Sequence, residues 1–188
     1  NINNSTFKNN ITGDDLLNFY NSKFLIKNSL IENSFSDAID SDFSNGEIYN
    51  LTLMNVGNDG LDFSGSIVKV ENSFFNNVQD KAISAGESSY VKINNSSIIN
   101  SELGIVVKDG SDVSSFNNSL KNNKIDYAVF FKKEFYSPPY LKIDSLNSNT
   151  LNLFQVGAKI NIEKETKVEY LNDVESLLYG KLYGKSSK

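Results

Sequence analysis

The segment Ile26–Asn33, IKNSLIEN, decides the fold because versions of it recur along most of the 188-residue chain. Each copy has an apolar residue, an asparagine two positions later and a second asparagine five positions after the first. The copies are INNSTFKN from Ile2, IKNSLIEN from Ile26, IYNLTLMN from Ile48, VENSFFNN from Val70, INNSSIIN from Ile93 and FNNSLKNN from Phe116. A period of 22 to 24 residues, with short apolar-polar alternation and no helical spacing, predicts a β-solenoid.

Two columns of asparagine run through these copies. The first column is Asn4, Asn28, Asn50, Asn72, Asn95 and Asn118, and the second is Asn9, Asn33, Asn55, Asn77, Asn100 and Asn123. Asparagine tolerates the left-handed backbone conformation, and its amide can satisfy backbone groups that a buried turn leaves unpaired. We therefore expect both columns to serve the fold rather than chemistry.

The other half of each repeat carries an apolar row that we expect to point into the core. The row is Leu17, Ile39, Leu61, Ile83 and Ile105, and Val129 continues it. Because strand side chains alternate between faces, the residues on either side of this row point outward. Coils stack about 4.8 Å apart, so each outward position forms a ladder of side chains along the solenoid.

The repeat resembles that of the right-handed parallel β-helix, the pectate-lyase-like superfamily, in the form I-x-N-[ST]-x-[FI]-x-N. The resemblance covers roughly Ile2 to Ile162 and is specific for the fold. It implies an all-β, right-handed parallel β-helix with coils of 22 to 24 residues. It also implies that stacked asparagine side chains bond neighbouring backbone groups at the turns.

The regular repeat fades after Phe131, and the chain ends in a different pattern. Helical spacing relates Val168, Leu171, Val174, Leu178 and Leu182. This spacing predicts a short amphipathic helix that caps the open C-terminal end of the solenoid. We predict a parallel β-helix over 1–162 and a helical cap and tail over 163–188, in one structural domain. Since the chain begins inside a repeat, we expect either that something else covers its N-terminal end or that it is the last part of a longer protein.

Composition excludes several kinds of chemistry. The chain has no His, Cys, Trp or Arg, and its 18 cationic residues are all lysine. A Ser-His-Asp or Cys-His mechanism, a His-ligated zinc and a bidentate Arg clamp are therefore excluded. The formal net charge of -5 argues against a nucleic-acid partner. No apolar run approaches the roughly 20 residues of a membrane span.

Three outward columns beside the apolar row bring aspartates together. They are Asp15, Asp37, Asp59 and Lys81; Asn18, Asp40, Asp62, Ser84, Val106 and Phe130; and Tyr20, Asp42, Ser64, Gly86, Lys108 and Lys132. Stacked carboxylates raise one another's pKa or recruit a cation, and Ca²⁺ accepts 6 to 8 oxygen ligands. We predict a calcium site whose ligands are Asp40, Asp42, Asp59 and Asp62, with Glu87 as a further candidate ligand. The alternative is a solvated polar face with acidic turn residues.

Lysines follow the aspartates along the same face, and we expect the charge of this face to change from negative to positive along the solenoid. Some calcium-dependent members of the resembled superfamily use an aspartate cluster with a lysine base. By this resemblance the base is Lys81 or Lys108, of which Lys81 lies nearer the aspartates. A desolvated lysine with a lowered pKa could remove the C5 proton of a uronic acid while Ca²⁺ neutralises the carboxylate.

The insertion KKEFYSPPY offers substrate-binding groups. Aromatic rings stack on sugars, and prolines hold such a loop stiff. We predict that Lys132, Lys133, Tyr136 and Tyr140 bind substrate on the side of the aspartate face. Alternatively, the aromatic residues cover the irregular C-terminal coils.

These features lead to three functional hypotheses. The first is a secreted or cell-surface carbohydrate-active domain that engages an acidic polysaccharide by calcium-dependent β-elimination or C5 epimerisation. The second is a non-catalytic adhesive or structural module. The third is an inverting glycoside hydrolase that uses Asp40 and Asp42, two residues apart on one strand.

Overall fold

In the computed structural model, which describes residues 1–147, 150–164 and 166–180, the chain winds into a parallel β-solenoid of two sheets. The strands, in chain order, are β1 (Ile2–Asn3), β2 (Thr6–Asn10), β3 (Asp15–Tyr20), β4 (Lys23–Ser34), β5 (Asp37–Asp42), β6 (Asn45–Val56), β7 (Leu61–Ser64), β8 (Ile67–Glu71), β9 (Phe74–Val78), β10 (Lys81–Gly86), β11 (Tyr90–Asn94), β12 (Ser97–Ile99), β13 (Leu103–Lys108), β14 (Asp112–Phe116), β15 (Ser119–Lys121), β16 (Ile125–Phe130), β17 (Tyr140–Ile143), β18 (Leu151–Gln155), β19 (Lys159–Ile162) and β20 (Tyr170–Leu171). One short helix, α1 (Glu175–Leu178), follows them.

The solenoid has three outer faces. The B face is the eight-stranded sheet, in the order β20-β18-β16-β13-β10-β7-β5-β3. The twelve-stranded sheet bends inside β4 and β6 at Asn28 and Asn50, and in later coils the same bend separates one strand from the next. We call its two halves the A1 face (β1, the first halves of β4 and β6, β8, β11, β14, β17 and β19) and the A2 face (β2, the second halves of β4 and β6, β9, β12 and β15).

Alternation of apolar and polar residues explains both the strands and the core. In β6, the apolar side chains of Ile48, Leu51 and Leu53 are fully buried, whereas Glu47 and Asn50 are exposed. Side chains that point inward from all three faces form one continuous apolar cluster. Each fully buried aliphatic side chain of this kind stabilises the fold by about 1.5–3 kcal/mol.

The asparagine columns form ladders, but through a different set of bonds from those expected. The Nδ2 of Asn77 donates to Asn55 Oδ1 at 2.9 Å, Asn55 donates to Asn33 at 3.1 Å, and Asn33 donates to Asn9 at 2.9 Å. These residues are exposed and have positive φ angles. The amides therefore bond one another along the outside of the turn, rather than bonding backbone groups of the next coil.

In the sixth copy both columns shift by one residue. Positive φ occurs at Asn117 and Asn122, not at the predicted Asn118 and Asn123. The predicted residues turn inward, where Asn118 Oδ1 accepts the backbone N–H of Ser96 at 2.8 Å and Asn123 Oδ1 accepts that of Ser101 at 3.0 Å. Two asparagines stand next to each other at each of these turns, so the sequence pattern alone could not show which of the two has positive φ.

A serine ladder supports the turn between the B and A1 faces, and sequence analysis missed it. Its members are Ser22, Ser44, Ser66, Ser89 and Ser111. In each step the backbone N–H of one serine donates to the Oγ of the serine one coil later, at 2.9 to 3.2 Å. These side chains satisfy backbone donors that would otherwise be buried without a partner.

The apolar row continues at a different residue from the one predicted. Ile105 pairs with Tyr127, not with Val129, so the interval stays at 22 residues. Tyr127 is not aliphatic like the rest of the row, yet its ring is buried in the core and its hydroxyl lies 3.2 Å from Ser115 Oγ. A tyrosine fits the row because its polar atom has a partner.

The outward columns shift accordingly. Lys108 pairs with Phe130, which the sequence assigned to the Val106 column, and Val106 pairs with Ala128. Lys132 lies beyond the end of β16 and belongs to neither column.

The C-terminal helix is shorter than its predicted pattern. Among the described residues of this segment only Glu175–Leu178 is helical, and Leu171 ends a strand that pairs with β18. Strand pairing thus continues past residue 162, where we predicted the cap to begin. Leu182 and the rest of 181–188 lie outside the described residues.

The helix lies against the B face and not across the end of the solenoid. Val174 and Leu178 are buried in a cluster with Val106, Ala128 and Phe130, all of which point outward from the sheet. These coils carry apolar residues where earlier coils carry aspartate, and burial of that apolar surface holds the helix there. Within the described residues, no helix is long and apolar enough to cross a membrane.

Candidate functional site

Four carboxyl groups meet on the open part of the B face. Asp40 pairs with Asp62 across β5 and β7, Asp15 lies on β3, and Asp42 lies two residues along from Asp40. Neighbouring strands lie about 4.8 Å apart, and alternate residues of one strand about 6.6–7 Å apart. Asn18 Nδ2 donates to Asp40 Oδ2 at 2.7 Å. We call Asp15, Asp40, Asp42 and Asp62 the acidic site.

Burial and mutual repulsion change the acidity of this site. Burial, together with the charges of Asp42, Asp15 and Asp62, raises the pKa of Asp40 from 3.8 to about 7. Burial followed by neighbouring carboxylates also raises the pKa of Asp42, and burial raises that of Asp15. Within the acidic site, Asp40 is therefore the carboxyl group best able to hold a proton near neutral pH.

Two exposed aromatic rings border the acidic site. Tyr20 is 66% exposed and Phe43 is 57% exposed, with ring centroids 6.2 Å apart. Tyr20 ends β3 opposite Asp42, and Phe43 follows Asp42 directly. We call this pair the aromatic rim. Sequence analysis did not single it out, although an aromatic residue at a turn position was a visible signal.

Phe43 has a strained backbone. Its φ is 49°, in the left-handed region that bulky side chains rarely adopt. The corresponding residues of other coils are Asn21, Gly65, Glu87 and Asp109, each with positive φ. Strain of this kind often occurs where function requires a particular side chain.

Asp59 and Lys81 form a buried ion-pair cluster instead of a ligand and a base. Lys81 Nζ lies 2.6 Å from Asp80 Oδ2 and 3.3 Å from Asp59 Oδ1. Burial alone would lower the pKa of Lys81, but the charges of Asp59 and Asp80 raise it above its ordinary value. Burial raises the pKa of Asp59, and the Lys81 ammonium offsets this only in part. The shift at Lys81 is opposite to the one that a general base requires, and sequence analysis missed Asp80.

Lys108 is buried as well, with its side chain lying over Gly86. A Cβ on Gly86 would come within 2.8 Å of Lys108 Cε, so glycine makes room for the lysine. Burial would lower the pKa of Lys108, but the charge of Asp62 raises it. This shift too is opposite to that of a base.

The C-terminal segment covers the part of the B face next to the acidic site. The Tyr179 ring lies 5.8 Å from Lys81 Nζ and 4.9 Å from Lys132 Nζ. Several buried polar atoms of this face and of this segment have no hydrogen-bond partner among the described residues: Asp62 Oδ1, Asp80 Oδ1, Ser84 Oγ and Tyr179 OH. The face thus changes from open and acidic to covered and largely apolar, not from acidic to basic.

Three of the four predicted substrate-binding residues, Lys132, Lys133 and Tyr136, lie together in one loop, and the fourth lies apart from them. Lys133 pairs with Glu87, and the backbone N–H groups of Lys132 and Lys133 both donate to Asp109 Oδ1, at 2.9 and 2.6 Å. The ring of Tyr136 packs against Phe135.

Tyr140 lies elsewhere. It is the first residue of β17 on the A1 face, where it pairs with Asp112. The prolines end the loop just before this strand, so the tyrosine belongs to the next face and not to the loop.

The predicted calcium ligands are not gathered in one place. Asp59 is paired with Lys81, and Glu87 with Lys133, which leaves Asp40, Asp42 and Asp62 in the acidic site. No group of three or more acidic side chains among the described residues is arranged to hold a metal ion. Calcium binding at the acidic site stays a prediction.

Comparison with known proteins agrees with the solenoid geometry. The chain matches no curated protein and no solved structure. Residues 1–163 match the family model described as "Right handed beta helix region". This match covers most of the chain and confirms the fold inferred from the asparagine repeat and the parallel coils. The chain belongs to the right-handed β-helix family.

Proposed function

We propose that this β-helix is a carbohydrate-active domain that binds a polysaccharide across the acidic site and the aromatic rim and hydrolyses it. The observation that carries the proposal is Asp40, whose pKa is raised to about 7 within a group of stacked carboxylates. Glycosidic-bond cleavage needs a carboxyl group that keeps its proton near neutral pH beside a second carboxyl group that serves as a base. Tyr20 and Phe43 supply exposed rings on which sugars can stack.

In this proposal Asp40 donates its proton to the glycosidic oxygen as the bond from that oxygen to the anomeric carbon breaks. Asp42 takes a proton from a water molecule whose oxygen attacks the same carbon. Alternate residues of one strand lie about 6.6–7 Å apart, within the roughly 6.5–9.5 Å that leaves room for this water in inverting enzymes. After one turnover Asp40 is ionised and Asp42 is protonated, and exchange with solvent restores both.

Elimination and C5 epimerisation have weaker support. Both would need a neutral lysine, and the neighbouring carboxylates raise the pKa of Lys81 and of Lys108. An acidic polysaccharide would also meet uncompensated carboxylates at the acidic site, so its binding there depends on a cation such as Ca²⁺. A neutral polysaccharide needs no such cation.

The test is incubation with neutral and acidic polysaccharides, with Ca²⁺ or with EDTA. New reducing ends and the ultraviolet absorbance of unsaturated sugars are followed in parallel. Hydrolysis produces reducing ends without that absorbance, and Asp40→Asn should lower the rate by roughly 10²–10⁴-fold. Asp14→Asn, at an exposed position outside the acidic site, is the matched control.

Two other results would redirect the proposal. Absorbance that requires Ca²⁺ would favour elimination by the same face. Binding of a polysaccharide without any cleavage, unchanged in Asp40→Asn, would favour the non-catalytic adhesive module.

A further inference from the structure

A groove of about 740 Å³ crosses the A1 face, away from the B face that carries the acidic site. Among the residues that line it are Lys23, Glu47, Ile67, Lys69, Tyr90 and Lys92. We call it the lysine-tyrosine groove. Its size falls within the usual range of ligand sites, about 300–1,000 Å³.

The floor of the groove presents apolar surface that the core does not require. Ile67 is 58% exposed and Tyr90 is 42% exposed, and the two pair across β8 and β11. The next residues along, Val68 and Val91, are the ones that point into the core. Ile67 and Tyr90 thus form an apolar platform two coils wide on the outer surface.

Positive charge lies directly beside this platform. Lys69 and Lys92 pair across the same two strands, so two like charges stand opposite each other, an arrangement that is destabilising on its own. Glu71 compensates Lys69 in part, at 3.0 Å. An anion bound between the two lysines would relieve their repulsion.

The groove is positive although the chain is acidic overall. Three lysines, Lys23, Lys69 and Lys92, and one acid, Glu47, line it, so the lining carries 3 − 1 = +2 against -5 for the whole chain. Glu71 and Asp112 lie just outside this lining, beside Lys69 and Lys92. The only carboxylate in this lining, Glu47, already accepts the hydroxyl of Tyr49 at 2.6 Å.

The lysines are held beside aromatic rings. Lys92 Nζ lies 5.5 Å from the centroid of Tyr90, and Lys69 Nζ lies 5.5 Å from that of Tyr49. A sugar that stacks on the platform would therefore bring its ring substituents close to an ammonium group. Such a site can distinguish an anionic sugar from a neutral one.

We infer that the lysine-tyrosine groove binds a segment of an anionic polysaccharide, recognised through its carboxylate or sulfate groups. This inference is independent of hydrolysis at the acidic site. A glycan fits better than a nucleic acid, because a local charge of +2 is small beside the many phosphates that a nucleic-acid site neutralises. Coils spaced about 4.8 Å apart also offer regularly spaced contacts to a polysaccharide, in which a sugar ring and a charged group recur along the chain.

The test is titration calorimetry of the 188-residue chain with polygalacturonate, dextran sulfate, neutral dextran and single-stranded DNA. We expect one or both anionic polysaccharides to bind, more weakly at high salt, and neutral dextran not to bind at this groove. The double variant Lys69→Gln/Lys92→Gln should weaken that binding by about tenfold or more, and Tyr90→Ala should weaken it as well. Polygalacturonate carries carboxylate groups and dextran sulfate carries sulfate groups, so comparison of their affinities shows which group the groove recognises.

Two controls fix the location. Lys92→Gln is matched by Lys121→Gln, an exposed lysine on the A2 face, which should leave the affinity unchanged. Asp40→Asn should lower the rate of hydrolysis by roughly 10²–10⁴-fold and leave this binding intact, so either proposal can fail without the other. Equal loss in Lys121→Gln, no effect of the groove variants, no binding of either anionic polysaccharide, or tighter binding of the DNA would each overturn the inference.

Discussion

Phe43 combines backbone strain with exposure at the edge of the acidic site. Its left-handed conformation costs roughly 1–2 kcal/mol for a residue with a large Cβ substituent, and Asn21 occupies the same position one coil earlier. We expect Phe43→Asn to raise the free energy of unfolding by about 1 kcal/mol and to weaken polysaccharide binding at the B face. Urea unfolding and calorimetry measure the two effects.

The matched control for this change is Phe35→Asn. Phe35 is 62% exposed and is not among the described non-glycine residues with positive φ. Its replacement should alter the free energy of unfolding by no more than about 0.5 kcal/mol. A less stable Phe43→Asn would mean that ring contacts with Gly65 and Tyr20 outweigh the strain.

Asp40 should make the stability of the protein fall as pH rises. Its pKa in the folded state is about 7 against an ordinary value of 3.8, so the folded state binds this proton more tightly than the unfolded state. The stabilisation is complete below about pH 4 and is lost as pH rises through about 7. We expect the melting temperature of the native chain to fall between pH 5 and pH 8.

Replacement of this carboxyl group should remove part of that dependence. The free energy of unfolding of Asp40→Asn, measured against that of the native chain, should be higher at pH 8 than at pH 5 by on the order of 1 kcal/mol. The difference is no larger because solvent screens a half-buried group. Thermal unfolding at both pH values measures the difference, with Asp14→Asn as control. Parallel curves for native chain and Asp40→Asn would contradict the raised pKa.

Sequence could show which acids share a face but not what each lysine contacts. Asp40 and Asp62 pair as the repeat predicted. Asp59 stands next to Lys81 in a predicted column, but the second partner of Lys81, Asp80, could not be predicted in the same way, because it contacts Lys81 from within the turn and not from a ladder position. Burial of Lys81 and Lys108 depends on a C-terminal segment that is distant in sequence, and a contact of this kind does not appear in the repeat pattern.

At the scale of elements, α1 has too few residues to be stable alone and depends on its contact with the B face. We expect Leu178→Asp to detach it, because the new carboxylate would be buried beside Phe130 and Val106. Hydrogen exchange should then accelerate at the Leu178 and Tyr179 amides, which donate to Val174 and Glu175. Exchange in β5 and β7 should stay unchanged.

Ser176→Asp provides the control for Leu178→Asp, since Ser176 is exposed on the same helix. It should leave exchange at Leu178 and Tyr179 unaltered. Loss of protection throughout the solenoid in Leu178→Asp would show instead that α1 is part of the cooperative core.

The strands followed from sequence more closely than the helix did. Strand positions repeat many times, so each copy supports the others, whereas five apolar residues at helical spacing occur only once. In the described part of that segment Leu171 pairs with β18, and the helix comprises only Glu175–Leu178. Apolar residues on the outer side of β13 and β16 decided where the helix lies.

At the scale of the whole molecule, the fold could be predicted because ladders along the solenoid repeat the same contact in every coil. The candidate site could be predicted only in part. Its acids come from repeat positions, but the aromatic rim depends on Phe43, the residue that departs from its column. The lysine-tyrosine groove likewise uses outward positions that the repeat leaves free to vary.

The offset of 22 residues between paired positions on the B face of the central coils has an evolutionary consequence. Because a coil bonds only to its two neighbours, a gene that duplicates one such unit would insert a coil in which every ladder continues. The solenoid would lengthen by about 4.8 Å along its axis, and no other contact would need to change. Duplication of the unit around Asp40 would copy its carboxylates at the same time, so the acidic site could widen one coil at a time within a protein that still folds.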